Sequence, residues 1–253
     1  MTSTPRPGCS PTTRTTRSRR RSSTTASSDP VPPPVLGVDA CRAGWIGALL
    51  HDGRVRVLVA ADIAALVAAA GIDVVGVDIP IGLPDAGRRT SDALARSRLR
   101  GRGSTVFPTL ARAAFEAPTY AEARAASLAA TGLSASAQSY ALRAKVLDVD
   151  GFVRSRPGVT VLEVHPELSF TTMSGLRLPP KKSAAGARAR RAALRAADVA
   201  PPAYRRGGGY GVDDLLDACA VAWTARRHAT GRAESLPAEP EVFSDGIPAA
   251  IWV

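Results

Sequence analysis

Apolar positions come in short runs through the first third of the chain, and each run breaks on a charge or a glycine. Val35 to Leu50 (VLGVDACRAGWIGALL) is apolar up to Asp39, bends through Ala40 to Gly44, and resumes as a second apolar run. That pattern predicts two buried strands joined by a tight bend, with a carboxylate at the rim of a sheet. His51-Asp52-Gly53 then supplies a hairpin turn and Arg54 to Ala60 (RVRVLVA) alternates as a third strand. A short amphipathic helix follows Asp62, with Ile63, Leu66 and Val67 on one side and Gly71 as its stop. The opening phrase returns at Val74 to Pro80 (VVGVDIP), a fourth strand ended by Asp78.

Beyond Ile81 the periodicity changes. Thr90 to Arg100, Tyr120 to Leu128 and Ser134 to Phe152 read as helices, so residues 81–158 form a helical insertion before a fifth strand at Val159 to Glu167 (VTVLEVHPE). An Arg-rich helix is expected over Ala187 to Ala197, where Arg188, Arg191 and Arg195 recur at helical spacing, and a core-packing helix over Asp213 to His228. Gly231 to Val253 is Pro-rich and apolar at its end, and is expected to pack back on the domain. The fold class is therefore α/β: a mixed five-stranded sheet flanked by helices, with the insertion between strands four and five.

Composition sets the outer limits. The 253 residues are 45% hydrophobic, enough for a sizeable core. No run approaches the roughly 18 apolar residues of a membrane span. Cys9, Cys41 and Cys219 are too few and too scattered for a disulfide framework or thiolate metal site, which points to a reducing cytoplasm. Residues 1–34 are Ser, Thr, Arg and Pro with almost nothing to bury, and are expected to be a disordered tail. The Arg17 to Arg21 cluster reads as a phosphate-attracting arm, a transit peptide or an extension without a role; the missing apolar stretch after it argues against a twin-Arg export signal. Six of the 33 basic and one of the 22 acidic residues lie in this tail, so the formal charge of +11 leaves the body, 35–253, near +6. Nucleic acid or a nucleotide-like phosphate compound is the expected partner.

The chemistry is carried by acids. Asp39 and Asp78 end strands one and four, Asp214 and Asp217 stand three apart on the last helix, and alternation puts Glu163 and His165 on one face of strand five. Asp213 suits a helix cap, whereas Asp217, in the second turn, suits it poorly and is expected to face the site. Carboxylates without a Cys or His cluster select hard ions, magnesium or manganese. Arg100 to Pro108 (RGRGSTVFP), with Arg102 and Ser104, is a Gly-punctuated basic loop suited to phosphate, and Lys181-Lys182 opens a second basic patch. Three antiparallel strands followed by helix, strand, helix, strand, helix, with acids at these places, is a ribonuclease H-like layout. In that layout three or four carboxylates hold two divalent ions about 3.5–4 Å apart for phosphodiester hydrolysis.

Six phrases in order, VLGVDACRAGW, VVGVDIPIGLPD, GSTVFP, EVHPE, the Lys181-Lys182 pair and DDLLDA, resemble the domain-of-unknown-function family 429, predicted nucleases of ribonuclease H-like fold. The resemblance runs from Val35 to the C-terminus. It implies acidic positions at Asp39, Asp78, Glu163, Glu167, Asp214 and Asp217, with Lys145 and Lys182 as basic companions. Metal ligation is expected of Asp39, Asp78, Asp214 and Asp217, catalysis of these and Glu163, and substrate binding of Arg102, Ser104, Lys145, His165 and Lys182. Leu110 departs from the pattern, standing where a proline is expected before Arg112. Two other readings keep the same residues: an actin-like or sugar-kinase-like ATP-dependent phosphotransferase, and a nucleic-acid-binding protein without turnover. The bend at Ala40 to Gly44 offers a phosphotransferase no hydroxyl for a β-phosphate.

Overall fold

The computed structural model describes residues 1–4, 8, 32–99, 101–155 and 158–253. The chain divides into two units at Val31. The Arg17 to Arg21 cluster, Cys9 and most of the expected tail lie outside the described residues. Among the described residues, every strand and helix belongs to the second unit, Val31–Val253.

Seven strands form its sheet: β1 (Val35–Cys41), β2 (Gly44–His51), β3 (Arg54–Ala60), β4 (Val74–Val77), β5 (Thr160–Val164), β6 (Ser235–Val242) and β7 (Pro248–Trp252). They lie in the order β3-β2-β1-β4-β5-β7-β6. β1, β2 and β3 are an antiparallel meander; β1, β4, β5 and β7 run parallel; β6 pairs antiparallel with β7. The five expected strands are all present. Two more were hidden in Gly231 to Val253, because Pro237 and Pro240 interrupt a strand pattern. Their place explains the tolerance: β6 is the outermost strand at its end of the sheet, where a missing N–H leaves no partner unpaired.

Helix α1 (Ile63–Ala70) crosses from β3 to β4, started by Asp62, whose carboxylate accepts from the Ala65 N–H at 2.7 Å, and ended by Gly71 at φ 65°. The insertion holds α2 (Thr90–Arg98), a 3-10 turn at Gly103–Thr105, α3 (Arg112–Glu116), α4 (Tyr120–Thr131), α5 (Ala137–Ala141) and α6 (Arg143–Ser155). After β5 come α7 (Pro166–Ser174), the Arg-rich α8 (Ala184–Ala196) and the long α9 (Val212–Ala229).

The sheet separates two apolar cores. Leu36, Val38, Val75 and Val77 face α1 and the insertion; Val35, Ile46, Ala48 and Leu50 face α9. Two glycines let α9 settle onto the second face. Gly37 of β1 and Gly76 of β4 are register partners. A methyl group at Gly37 would lie 2.1 Å from the Ala222 backbone N and 2.2 Å from the Ala218 carbonyl oxygen, and one at Gly76 only 2.8 Å from the Val221 side chain. Any larger residue at Gly37 would lift the helix, because the obstacle is backbone and cannot turn aside.

Candidate functional site

Asp39 and Asp78 are each two residues beyond those glycines, so strand alternation points both carboxylates at the face α9 covers. The strands are held side by side: Val38 pairs with Val77, and the Asp78 N–H donates to the Val38 carbonyl at 3.1 Å. Asp217 precedes Ala218, one of the two α9 residues that meet Gly37. The close approach that seats the helix thus also brings a third acid to the ends of β1 and β4.

These carboxylates lie within electrostatic reach of one another. Burial, then repulsion from Asp78 and Asp217, holds the Asp39 carboxyl well above the usual carboxylate range. Burial and the Asp217 charge push Asp78 up to about 7. Asp217, 3% exposed, is raised by burial against the pull of Lys181. Lys181 supplies the nearby positive charge, its Nζ 2.8 Å from Asp217 Oδ2. Burial disfavours its charge, but Asp217 and then Asp39 and Asp78 outweigh that and hold its pKa above the ordinary lysine value.

The loop bearing Lys181 is fixed from several sides. Arg190 donates to the Pro179 carbonyl at 2.8 Å, Ser183 Oγ to the Pro180 carbonyl at 2.8 Å, and the absence of a side chain at Gly186 leaves room for Pro180. The three acids and Lys181 line a cleft of about 270 Å³, shared with Val106, Phe107 and Leu142.

The other expected site residues divide. Glu163 and His165 line the same cleft, as alternation along β5 implies. Glu163, however, is already engaged: its two oxygens accept from Arg89 Nη1 and Nη2 at 2.7 Å each, and one also accepts from the Ile81 N–H at 2.8 Å. Arg89, 1% exposed, bridges to Asp92 at 2.6 Å as well. Burial still raises the Glu163 pKa against the attraction of Arg89. Glu163 is therefore the bidentate partner of a buried arginine that it shares with Asp92, and both of its oxygens are already engaged. His165 Nε2 lies 3.3 Å from the Thr105 carbonyl, and burial lowers its pKa, favouring the neutral ring.

Asp214 takes the capping role expected of Asp213. Its Oδ2 accepts from the Gly211 N–H at 2.7 Å, while its charge still raises Asp39. Arg102 donates to Glu167 and to the Leu178 carbonyl, and Glu167 is also held by Arg190 at 2.7 Å, so this arginine braces the site's surroundings. Ser104 sits in the 3-10 turn. Lys145 donates to the Gly44 carbonyl at 2.8 Å and lies 4.2 Å over the Trp45 ring, supporting the β1–β2 hairpin from outside the cleft. Lys182 lines a neighbouring hollow with Ser183 and Asp213. Leu110, in place of the expected proline, is 6% exposed and packs in the core.

Sequence pattern alone does not find two of the residues at this site. Arg89 carries no periodic signal, because nothing in RRTSD marks one of two adjacent arginines as the buried one. Lys181 is visible as half of a pair, but only the fold tells it from Lys182.

Hard oxygen donors from three elements suit magnesium or manganese, and their mutual repulsion is the kind a divalent ion relieves. Among the described residues no three His, Cys, Asp or Glu side chains are already gathered tightly enough to hold an ion. The fit is thus in donor chemistry and charge, with Lys181 providing the positive charge at Asp217. Among the described residues no helix is long and apolar enough to cross a membrane.

Comparison with curated proteins and with solved structures found no match. A family model described as "Protein of unknown function (DUF429)" matches residues 37–242, spanning every acid of the site. The chain belongs to that family.

Proposed function

We propose that the protein is a magnesium- or manganese-dependent hydrolase of phosphodiester bonds, a nuclease in the broad sense, built on a ribonuclease H-like core. The observation that carries this reading is the convergence of Asp39, Asp78 and Asp217, from two parallel strands and one helix, into a cleft where burial and mutual repulsion raise all three pKa values. A structural role calls for acids that are paired or capping; these three share one lysine. The strand order β3-β2-β1-β4-β5, antiparallel then parallel, with acids ending the first and fourth strands, supports the ribonuclease H-like reading, and β7 and β6 extend that core.

Asp39, Asp78 and Asp217 would hold the metal, with Asp214 beside them as a source of negative potential. A bound divalent ion supplies Lewis-acid activation of water and of the phosphoryl oxygens. Lys181 offsets part of the acids' charge, at Asp217, and is placed to meet a phosphate oxygen through its 48% exposed side chain. The Arg89–Glu163–Asp92 cluster anchors the β5 side of the cleft. The body charge near +6 favours a polyanion.

The test is hydrolysis of bis(p-nitrophenyl) phosphate and of single-stranded oligonucleotides in magnesium, in manganese and in EDTA. Metal-dependent cleavage that Asp39→Asn abolishes in a folded protein is expected. Cleavage retained by Asp39→Asn, or absent from the wild type with both metals, would overturn the reading.

A further inference from the structure

Phe107 is 42% exposed, yet the chain on both sides of it is pinned. Val106 is 4% exposed and its carbonyl accepts from Arg96 Nε at 2.8 Å. Thr109 is 6% exposed; its N–H donates to Asp92 Oδ2 at 2.7 Å and its hydroxyl to Asp92 Oδ1 at 3.2 Å. Thr105 is held through its carbonyl beside His165. A large apolar ring is thus held partly in water on a backbone segment pinned on both sides, and it lines the cleft that contains the acids. Pro80, Val106 and Leu142 line the same cleft, so an anionic, metal-suited region and an apolar, aromatic region share about 270 Å³.

We infer that the ligand of this cleft carries an unpaired nucleobase, which stacks on Phe107 while the attached phosphate lies at the acids. The inference rests on the phosphodiesterase reading and narrows its substrate to single-stranded nucleic acid or a small nucleotide. A fixed aromatic face accepts any base and costs little ordering on binding. In a duplex both faces of an internal base are already stacked, so a paired strand must first surrender one base to use this platform.

Base-aromatic stacking is worth about 5- to 150-fold in affinity per base. The experiment is calorimetric binding of adenosine 5′-monophosphate, ribose 5-phosphate, a single-stranded decanucleotide and its duplex to the full chain, to Phe107→Ala and to Phe107→Trp. Adenosine 5′-monophosphate is expected to bind at least about 5-fold more tightly than ribose 5-phosphate. Phe107→Ala should erase that ratio and Phe107→Trp keep it. The single strand should outbind the duplex if the substrate is a chain; nucleotide binding with no preference between the two would assign the site to a free nucleotide, within the same inference. Equal binding of the two monophosphates to the wild type, a comparison that needs no variant, would overturn the inference. If metal-dependent hydrolysis of bis(p-nitrophenyl) phosphate is nonetheless present, the phosphodiesterase reading survives that result. If hydrolysis is also absent, both fall.

Discussion

Replacing Asp78 with asparagine is expected to stabilise the metal-free protein at pH 8 while weakening its hold on divalent ions. Burial and the Asp217 charge raise the Asp78 carboxyl from 3.8 to about 7. Between those values the unfolded chain has released a proton that the folded protein keeps. Stability therefore falls as pH climbs from about 4 to about 7 and stays at the lower level above that. A gap of about 3 pH units corresponds to about 4 kcal/mol. Asp39 and Asp217 share the titration, and half of the figure, about 2 kcal/mol, is the expected gain at pH 8. For a domain of this size that is an increase in Tm of about 4–8 °C. Thermal unfolding followed by circular dichroism, in EDTA at pH 8 and pH 4, reads the effect directly: a clear gain at pH 8 and little at pH 4. Magnesium should narrow or reverse the order at pH 8, because the wild type gains more binding energy than the variant. An Asp78→Asn protein no more stable than wild type at pH 8 in EDTA would refute the claim that these carboxylates crowd one another.

The packing leads to three more expected outcomes. Gly37→Ala places a methyl against α9 backbone and should cost about 3 kcal/mol or more in urea denaturation, with metal-dependent cleavage falling because Asp217 moves with the helix; a variant as stable as wild type would show that the helix is not seated there. Arg89→Ala leaves Glu163 and Asp92 buried without their cation and should lose about 3–5 kcal/mol by the same measurement, and a loss under about 1 kcal/mol would contradict the buried cluster. Asp214→Ala removes a helix cap and should cost about 1 kcal/mol while retaining metal binding; loss of binding would make Asp214 a ligand.

The sequence was most legible where period and punctuation agree. β1 to β4 were readable because apolar runs end on Asp39, Gly53, Gly71 and Asp78, and the repeated Gly-Val-Asp phrase by itself marked both acids. The deeper meaning of that phrase needed the fold: its glycines admit α9, and its acids face what α9 brings. β6 and β7 escaped because Pro237 and Pro240 are compatible with a strand only at an edge, and edges are a property of the assembled sheet. Glu163 read as a candidate catalytic acid because spacing reports which face a side chain occupies, while its engagement depends on Arg89, 74 residues earlier in the chain. Pattern favoured Asp213 for the cap, but either acid fits the first turn of α9, and the fold gives the Gly211 N–H to Asp214.

A calorimetric titration of manganese into the wild-type protein and into Asp39→Asn and Asp217→Asn, each checked for folding, addresses the central claim most directly. Saturable binding of one or two ions to the wild type, lost or greatly weakened in both variants, is the expected result. No binding to the wild type, or binding that both substitutions leave unchanged, would contradict it.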